Sequence, residues 1–181
     1  MANNKIAQMA ELVDALDSKS SSGNRVWVRF PLWVQNKFMY TKKKQHRYDQ
    51  AYMKMAFEWA QLSHCNRKNV GALIVKDNMI ISDGYNGTPT GFENICEDDE
   101  GYTKWYVLHA EANAISKVAS STQSCKDATL YISLCPCKGC SKLIHQAKIK
   151  RVVYSEEYKD RSGIDFLEKA GIEVCHIPLE S

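Results

Sequence analysis

The chain has 181 residues, 44% hydrophobic and 25% charged, an ordinary globular mixture with enough apolar side chain to bury a core. Its longest apolar stretches, Val70–Val75 and Met79–Ile81, fall far short of the roughly 20 residues a bilayer demands. With no basic segment followed by an apolar run at the N-terminus, neither a membrane span nor a secretory signal is expected. A net charge of +3 is too small to argue for nucleic acid. Seven cysteines, an odd number in a chain too large to need staples, favour metal binding or free thiols in a reducing, intracellular setting over a disulfide scaffold.

In chain order, Ile6–Leu16 carries apolar residues at helical spacing and the Ser-rich stretch Ser18–Asn24 breaks it. Val26–Val34 is aromatic and β-branched but holds Pro31, so an edge strand, a packed arm and an interface segment all remain open. Lys37, Lys42, Lys43, Lys44 and Arg47 form a basic run, and Glu93, Glu97, Asp98, Asp99 and Glu100 an acidic one; solvated faces or loops are the reading for both. Asp49 is placed to cap a helix whose stripe is Tyr52, Met55, Ala56, Trp59 and Leu62. Val70–Val75 and Met79–Ile81 read as a hairpin turning at Asp77-Asn78, followed by a Gly-rich loop, Gly84–Gly91. Next come a helix from His109 to Ala119, a strand Ala128–Ile132, a helix Cys137–Ala147, a strand Val152–Tyr154, a helix Gly163–Ala170 and a strand Ile172–Ile177. This alternation is that of an α/β layer fold. The helix-bearing connection after Tyr154 makes the last two strands parallel.

The chemistry concentrates at two helix starts. Pro136-Cys137-Lys-Gly-Cys140 puts two thiols on one face of a helical turn, where the positive helix terminus favours thiolates. Alone, this spacing fits zinc, a redox dithiol or chance. His109 opens another helix and supplies a third ligand, leaving the fourth tetrahedral position for water. Glu111, two residues on, is a carboxylate beside the metal that is not needed to hold it, suited to moving protons. H-x-E followed by P-C-x-x-C is the signature of zinc-dependent base deaminases.

Beyond that signature the chain resembles the deoxycytidylate (dCMP) deaminases of phages and eukaryotes, over about three quarters of its length. The resemblance runs through 65–77, the Gly84–Gly91 loop, His109-Ala-Glu-Ala-Asn-Ala-Ile115, Pro136–Cys140, 152–160 and Ala170-Gly-Ile-Glu-Val174. It implies one deaminase domain over 1–181, with 1–47 an extension and 48–181 the catalytic core. The implied fold is a three-layer α/β/α cytidine-deaminase-like one with a five-stranded mixed sheet. The implied activity is zinc-dependent hydrolysis of dCMP to dUMP and ammonia, feeding dTMP synthesis, with dCMP preferred to deoxycytidine. The resemblance implies that His109, Cys137 and Cys140 hold Zn2+ and that Glu111 protonates N3 and then the departing amine. Asn86, the Ala110 N–H, Tyr154 and Tyr158 would contact substrate, with Asp160 a weaker candidate and Arg67 or Lys159 at the phosphate. It further implies a cytoplasmic homohexamer, in the host cytoplasm if phage-encoded, switched on by dCTP and off by dTTP with Mg2+ accompanying the nucleotide. Gly84, Tyr85, Gly87 and Thr88 would serve that regulation.

Some phage relatives hold a second, structural zinc through histidines before the catalytic one. Gly91–Leu108 contains none, so a second site from Cys65, Cys96 and His64 is not expected. Cys135, ahead of the helix, is expected to face away from the site. Competing readings are a tRNA adenosine deaminase, which would need a basic rim, a free-nucleoside deaminase, and a zinc-dependent binding module with four closed ligands. Neither a membrane nor a nucleic acid is an expected partner.

Overall fold

The computed structural model of the chain describes residues 32–179, with side chains from Met39 onward. The chain divides into two units, Met1–His46 and Arg47–Ser181. The expected helix Ile6–Leu16, the Ser-rich break and most of Val26–Val34 lie outside the described residues. The first helix, α1 (Leu32–Ala60), is longer than expected, so the end of the Val26–Val34 segment is helical and Asp49 lies inside a helix rather than capping one. Lys42, Lys43, Lys44 and Arg47 are exposed along it. No helix among the described residues is long and apolar enough to cross a membrane.

The second unit is built on a five-stranded sheet of order β2-β1-β3-β4-β5, comprising β1 (Gly71–Lys76), β2 (Met79–Tyr85), β3 (Thr129–Leu134), β4 (Arg151–Glu156) and β5 (Glu173–His176). β1 pairs antiparallel with β2 and β3, whereas β3, β4 and β5 run parallel. The hairpin turns where expected: Asp77 and Asn78 both adopt positive φ, 51° and 61°, the type I′ combination that matches strand twist. The connections from β3 to β5 hold α3 (Lys138–Gln146) and α4 (Ser162–Lys169), while α2 (Ala110–Ala119) precedes β3.

Both faces of the central strands are covered, so they read as near-continuous apolar runs. On one face Ala114, Ile144 and Ile164 of the later helices pack with Ile74, Ile132 and Val152. On the other, Tyr52, Met53 and Ala56 of α1 pack with Leu73, Tyr131 and Val153. The buried stripe is therefore Tyr52, Met53, Ala56 and Ala60; Met55 and Leu62, expected in it, are 36% and 50% exposed. A Cβ on Gly71 would lie 2.0 Å from the Ala56 carbonyl oxygen, and this close helix-to-strand approach selects the rotation of the helix.

Asp49, 3% exposed, takes a role its sequence position hides. The Arg151 guanidinium donates to its two carboxylate oxygens at 2.7 and 2.9 Å, and the Tyr131 hydroxyl donates at 2.7 Å. Burial and that carboxylate hold the Tyr131 phenol far above its ordinary value. Removing Asp49 leaves the largely buried Arg151 guanidinium with only the exposed Glu173 carboxylate, at 2.8 Å, as an ion-pair partner. Asp49→Ala should cost about 3 kcal/mol, read as a lower denaturation midpoint in urea; a midpoint unchanged from the parent protein would show the network to be dispensable.

Candidate active site

His109 and Cys137 occupy equivalent positions, each with extended backbone (φ −75° and −74°) one residue before α2 and α3 respectively. Cys140 follows in the first turn of α3. The His109 Nδ1 lies 3.5 Å from the sulfur of Cys137 and 3.5 Å from that of Cys140, and the three ligand atoms all fall within 4.8 Å of one another. A tetrahedral zinc ion with bonds of about 2.0–2.3 Å spaces its donors roughly this far apart, and two thiols with one imidazole are donors it favours, so the residues fit the metal.

Several local features hold this triangle in place. Gly87 and Leu108 form a backbone bridge with bonds of 3.1 and 2.8 Å just before His109. A Cβ on Gly84 would lie 2.3 Å from the Ala110 carbonyl oxygen, so that glycine lets the start of α2 sit on β2. Gly163 serves the other helix: a Cβ there would meet the Pro136 carbonyl oxygen at 2.1 Å. Both glycines expected to serve regulation have structural tasks. Gly84 is in the β1–β2 ladder and the Gly87 N–H is spent on Leu108. Tyr85 and Thr88 are likewise engaged, accepting from Asn113 Nδ2 through the Tyr85 carbonyl and donating to Asn94 through the Thr88 hydroxyl.

His109 and Cys137 of the triangle line a cavity of about 620 Å³, within the range of small-molecule sites. Glu111 lines it and is 3% exposed; burial pushes its carboxyl up to about 7, where a carboxyl group can both take and give a proton. Hydrogen bonds from the Cys140 thiol and the His109 ring pull the Cys137 thiol down to about 3. Cys140, beside that sulfur and buried, is raised; a metal binds such thiols in their deprotonated form. Ala110 opens α2, where the first N–H groups have no intrahelical partner and point outward.

Other expected residues fall unevenly. Asn86, Arg67, Tyr158 and Lys159 line the cavity. The Asn86 side chain also has a scaffold task, accepting the Val70 N–H at 2.7 Å and donating to the Lys68 carbonyl at 2.8 Å. Tyr154 is corrected: it is 2% exposed, stacks on His176 and donates its hydroxyl to Glu157 at 3.0 Å, leaving Glu157 to line the cavity. Asp160 turns away as well, accepting the Ser162 N–H at 2.9 Å and pairing with Lys138 at 3.2 Å. Cys135, expected to face away, is buried and lines the cavity.

Cys65 and Cys96 form a disulfide, whereas the sequence favoured metal binding or free thiols for the cysteines. Glu97 brings them together. It belongs to the acidic run yet is buried, accepting the N–H groups of Asn66 and Arg67 at 2.9 and 3.2 Å and the Asn66 amide at 3.2 Å. Glu97, Lys68, Glu156 and Glu157 were not singled out as site residues from the sequence, because Lys68, Glu97 and Glu157 lie in loops and Glu156 ends β4, segments that only the fold brings to one cavity.

Residues 46–156 match the family model described as cytidine and deoxycytidylate deaminase zinc-binding region. Deoxycytidylate deaminase of Enterobacteria phage T4 is 33% identical over 169 residues, covering 70% of this chain and 88% of the phage protein. That of Saccharomyces cerevisiae is 32% identical over 94% of this chain, which spans 59% of the yeast protein. The crystal structure of dCMP deaminase from the cyanophage S-TIM5 in complex with dCMP and dUMP aligns with a TM-score of 0.69 at 46% identity, covering 70% of this chain and 94% of that one. With its ligand triangle and adjacent carboxyl group inside the matched region, this chain belongs to the cytidine and deoxycytidylate deaminase family.

Proposed function

We propose that the protein converts dCMP and water to dUMP and ammonia. The observation that carries this reading is one cavity lined by His109 and Cys137 of the ligand triangle, by Glu111 and by the cationic side chains of Arg67, Lys68 and Lys159, with Cys140 completing the triangle. When bound, zinc supplies a Lewis acid that activates water for addition at C4 of the pyrimidine. Glu111 takes a proton from that water and delivers it to N3, then carries a second to the exocyclic amine. The C4–N bond breaks as ammonia leaves and the C4 oxygen becomes the carbonyl of uracil. The Ala110 N–H donates to the pyrimidine 2-carbonyl, and Asn86 and Tyr158 border the nucleotide.

Arg67 and Lys159 are assigned to the phosphate. Among the described residues neither forms an ion pair with a carboxylate, and Arg67 donates only a long bond to the Thr103 hydroxyl at 3.4 Å. Two cations match a phosphate monoester dianion.

Activation by dCTP, inhibition by dTTP, Mg2+ with the nucleotide, a homohexameric assembly, a cytoplasmic location and a place supplying dUMP for dTMP synthesis complete the reading. These parts rest on the likeness to deoxycytidylate deaminases, and the engaged amides of Gly84 and Gly87 give the regulation no support. Regulation requires two states with different effector affinities. A sigmoidal dCMP saturation curve made hyperbolic by dCTP and more sigmoidal by dTTP is expected; a hyperbola that neither triphosphate moves would rule it out.

Two variants separate the metal from the proton carrier. Cys140→Ser should lose zinc in the purified protein, and a full zinc equivalent in that variant would remove Cys140 from the ligand set. Glu111→Gln should keep zinc and fold while ammonia release falls roughly 10²–10⁴-fold; near-normal turnover would remove Glu111 from the reaction. For substrate class, kcat/KM for dCMP should exceed that for deoxycytidine by at least about 100-fold, the effect of two charged hydrogen bonds at roughly 1.5 kcal/mol each. Equal values would contradict the phosphate assignment.

A further inference from the structure

The cavity holds more ionisable side chains than the reaction needs. Arg67, Lys68 and Lys159 line it together with Glu97, Glu156 and Glu157. Two of the three carboxylates are occupied elsewhere. Glu97 holds the amides of Asn66 and Arg67, and Glu157 accepts from the Arg161 guanidinium at 3.2 Å and the Tyr154 hydroxyl at 3.0 Å. The third, Glu156, forms an ion pair with Lys68.

This pair joins two walls of the cavity, and both backbones are fixed. The Lys68 carbonyl accepts Asn86 Nδ2 at 2.8 Å. The Glu156 carbonyl accepts the Cys135 N–H at 2.9 Å, two residues before the ligand Cys137. The side chains of Lys68 and Glu156 are 48% and 38% exposed, so the pair adds little to folding stability. Its main electrostatic consequence falls on whatever enters the cavity.

We propose that Glu156 limits how many phosphate groups the site accepts, by neutralising Lys68 and so leaving Arg67 and Lys159 as the cations available to the phosphoryl end. The inference rests on the dCMP reading above and deepens it. A monophosphate ester carries about two negative charges at neutral pH, which two cations balance. A triphosphate carries about four, and its outer groups would meet the Glu156 carboxylate with no third cation to offset them. The same chain then discriminates dCMP from dCTP at the active site by charge balance, without any steric stop.

The experiment measures ammonia release from dCMP alone and from dCTP alone, by the zinc-loaded parent protein, Glu156→Gln and Lys68→Gln. Glu156→Gln frees a cation and should raise the dCTP:dCMP ratio of kcat/KM about tenfold at low salt, and the gain should shrink in about 0.5 M salt, where such interactions are screened. Lys68→Gln leaves the carboxylate uncompensated and should shift the ratio in the opposite direction. A ratio within twofold of the parent in a variant that retains zinc and its melting temperature overturns the proposal. Should Glu156→Gln lose its fold, the Lys68→Gln ratio decides alone. A parent protein inactive on dCMP would overturn the underlying reading too, and the first measurement would reveal it.

Discussion

The chemistry of this chain depends on two helix N-termini meeting so that His109 Nδ1 on one lies 3.5 Å from each of the two sulfurs on the other. Each terminus presents a ligand from extended backbone, and each carries the positive end of a helix dipole; of the two thiols it is Cys137 that is pulled toward thiolate. Such an approach leaves no room for side chains behind the ligands. Gly84 behind the start of α2 and Gly163 behind Pro136 are the points where a Cβ would collide with backbone. Bulk at either position would move a ligand as well as loosen packing. The Gly87–Leu108 bridge completes the frame by fixing the chain one residue before His109.

Around that frame the cavity divides its charges by task. Glu111 is buried against the ligand triangle, and desolvation raises its carboxyl, whereas Glu97 reaches the same cavity but is spent on backbone amides. Glu156 and Glu157, neighbours at the end of β4, are paired with different cations, Lys68 and Arg161. Identical side chains therefore do four different things. What distinguishes them is the partner each backbone position allows, and the charge left for a ligand follows from that allocation.

Local patterns made much of this legible. The Asp77-Asn78 turn, the three later helices and the parallel last strands follow from residue chemistry close in sequence, as does the cluster of His109, Cys137 and Cys140 beside Glu111, all four at helix starts with short fixed spacings. What escaped depends on distant pairings. Asp49 looks like a helix cap until Arg151 and Tyr131, 102 and 82 residues away, are placed beside it. The α1 stripe was displaced because Gly71 selects which side of the helix comes closest. Tyr154 sits at the right strand end for a substrate contact, yet it stacks on His176 of a neighbouring strand and reaches the cavity only through Glu157. Cys65 and Cys96 are 31 residues apart, and only the Glu97 anchor shows why they meet.

The most direct test of the account is a crystal structure of zinc-loaded Glu111→Gln with dCMP bound, since that variant should hold substrate without turning it over. The account predicts the pyrimidine C4 next to the metal and residue 111, the 2-carbonyl at the Ala110 N–H, and the phosphate between Arg67 and Lys159. A nucleotide bound with its base away from His109, Cys137 and Cys140, or with its phosphate remote from both cations, would contradict it.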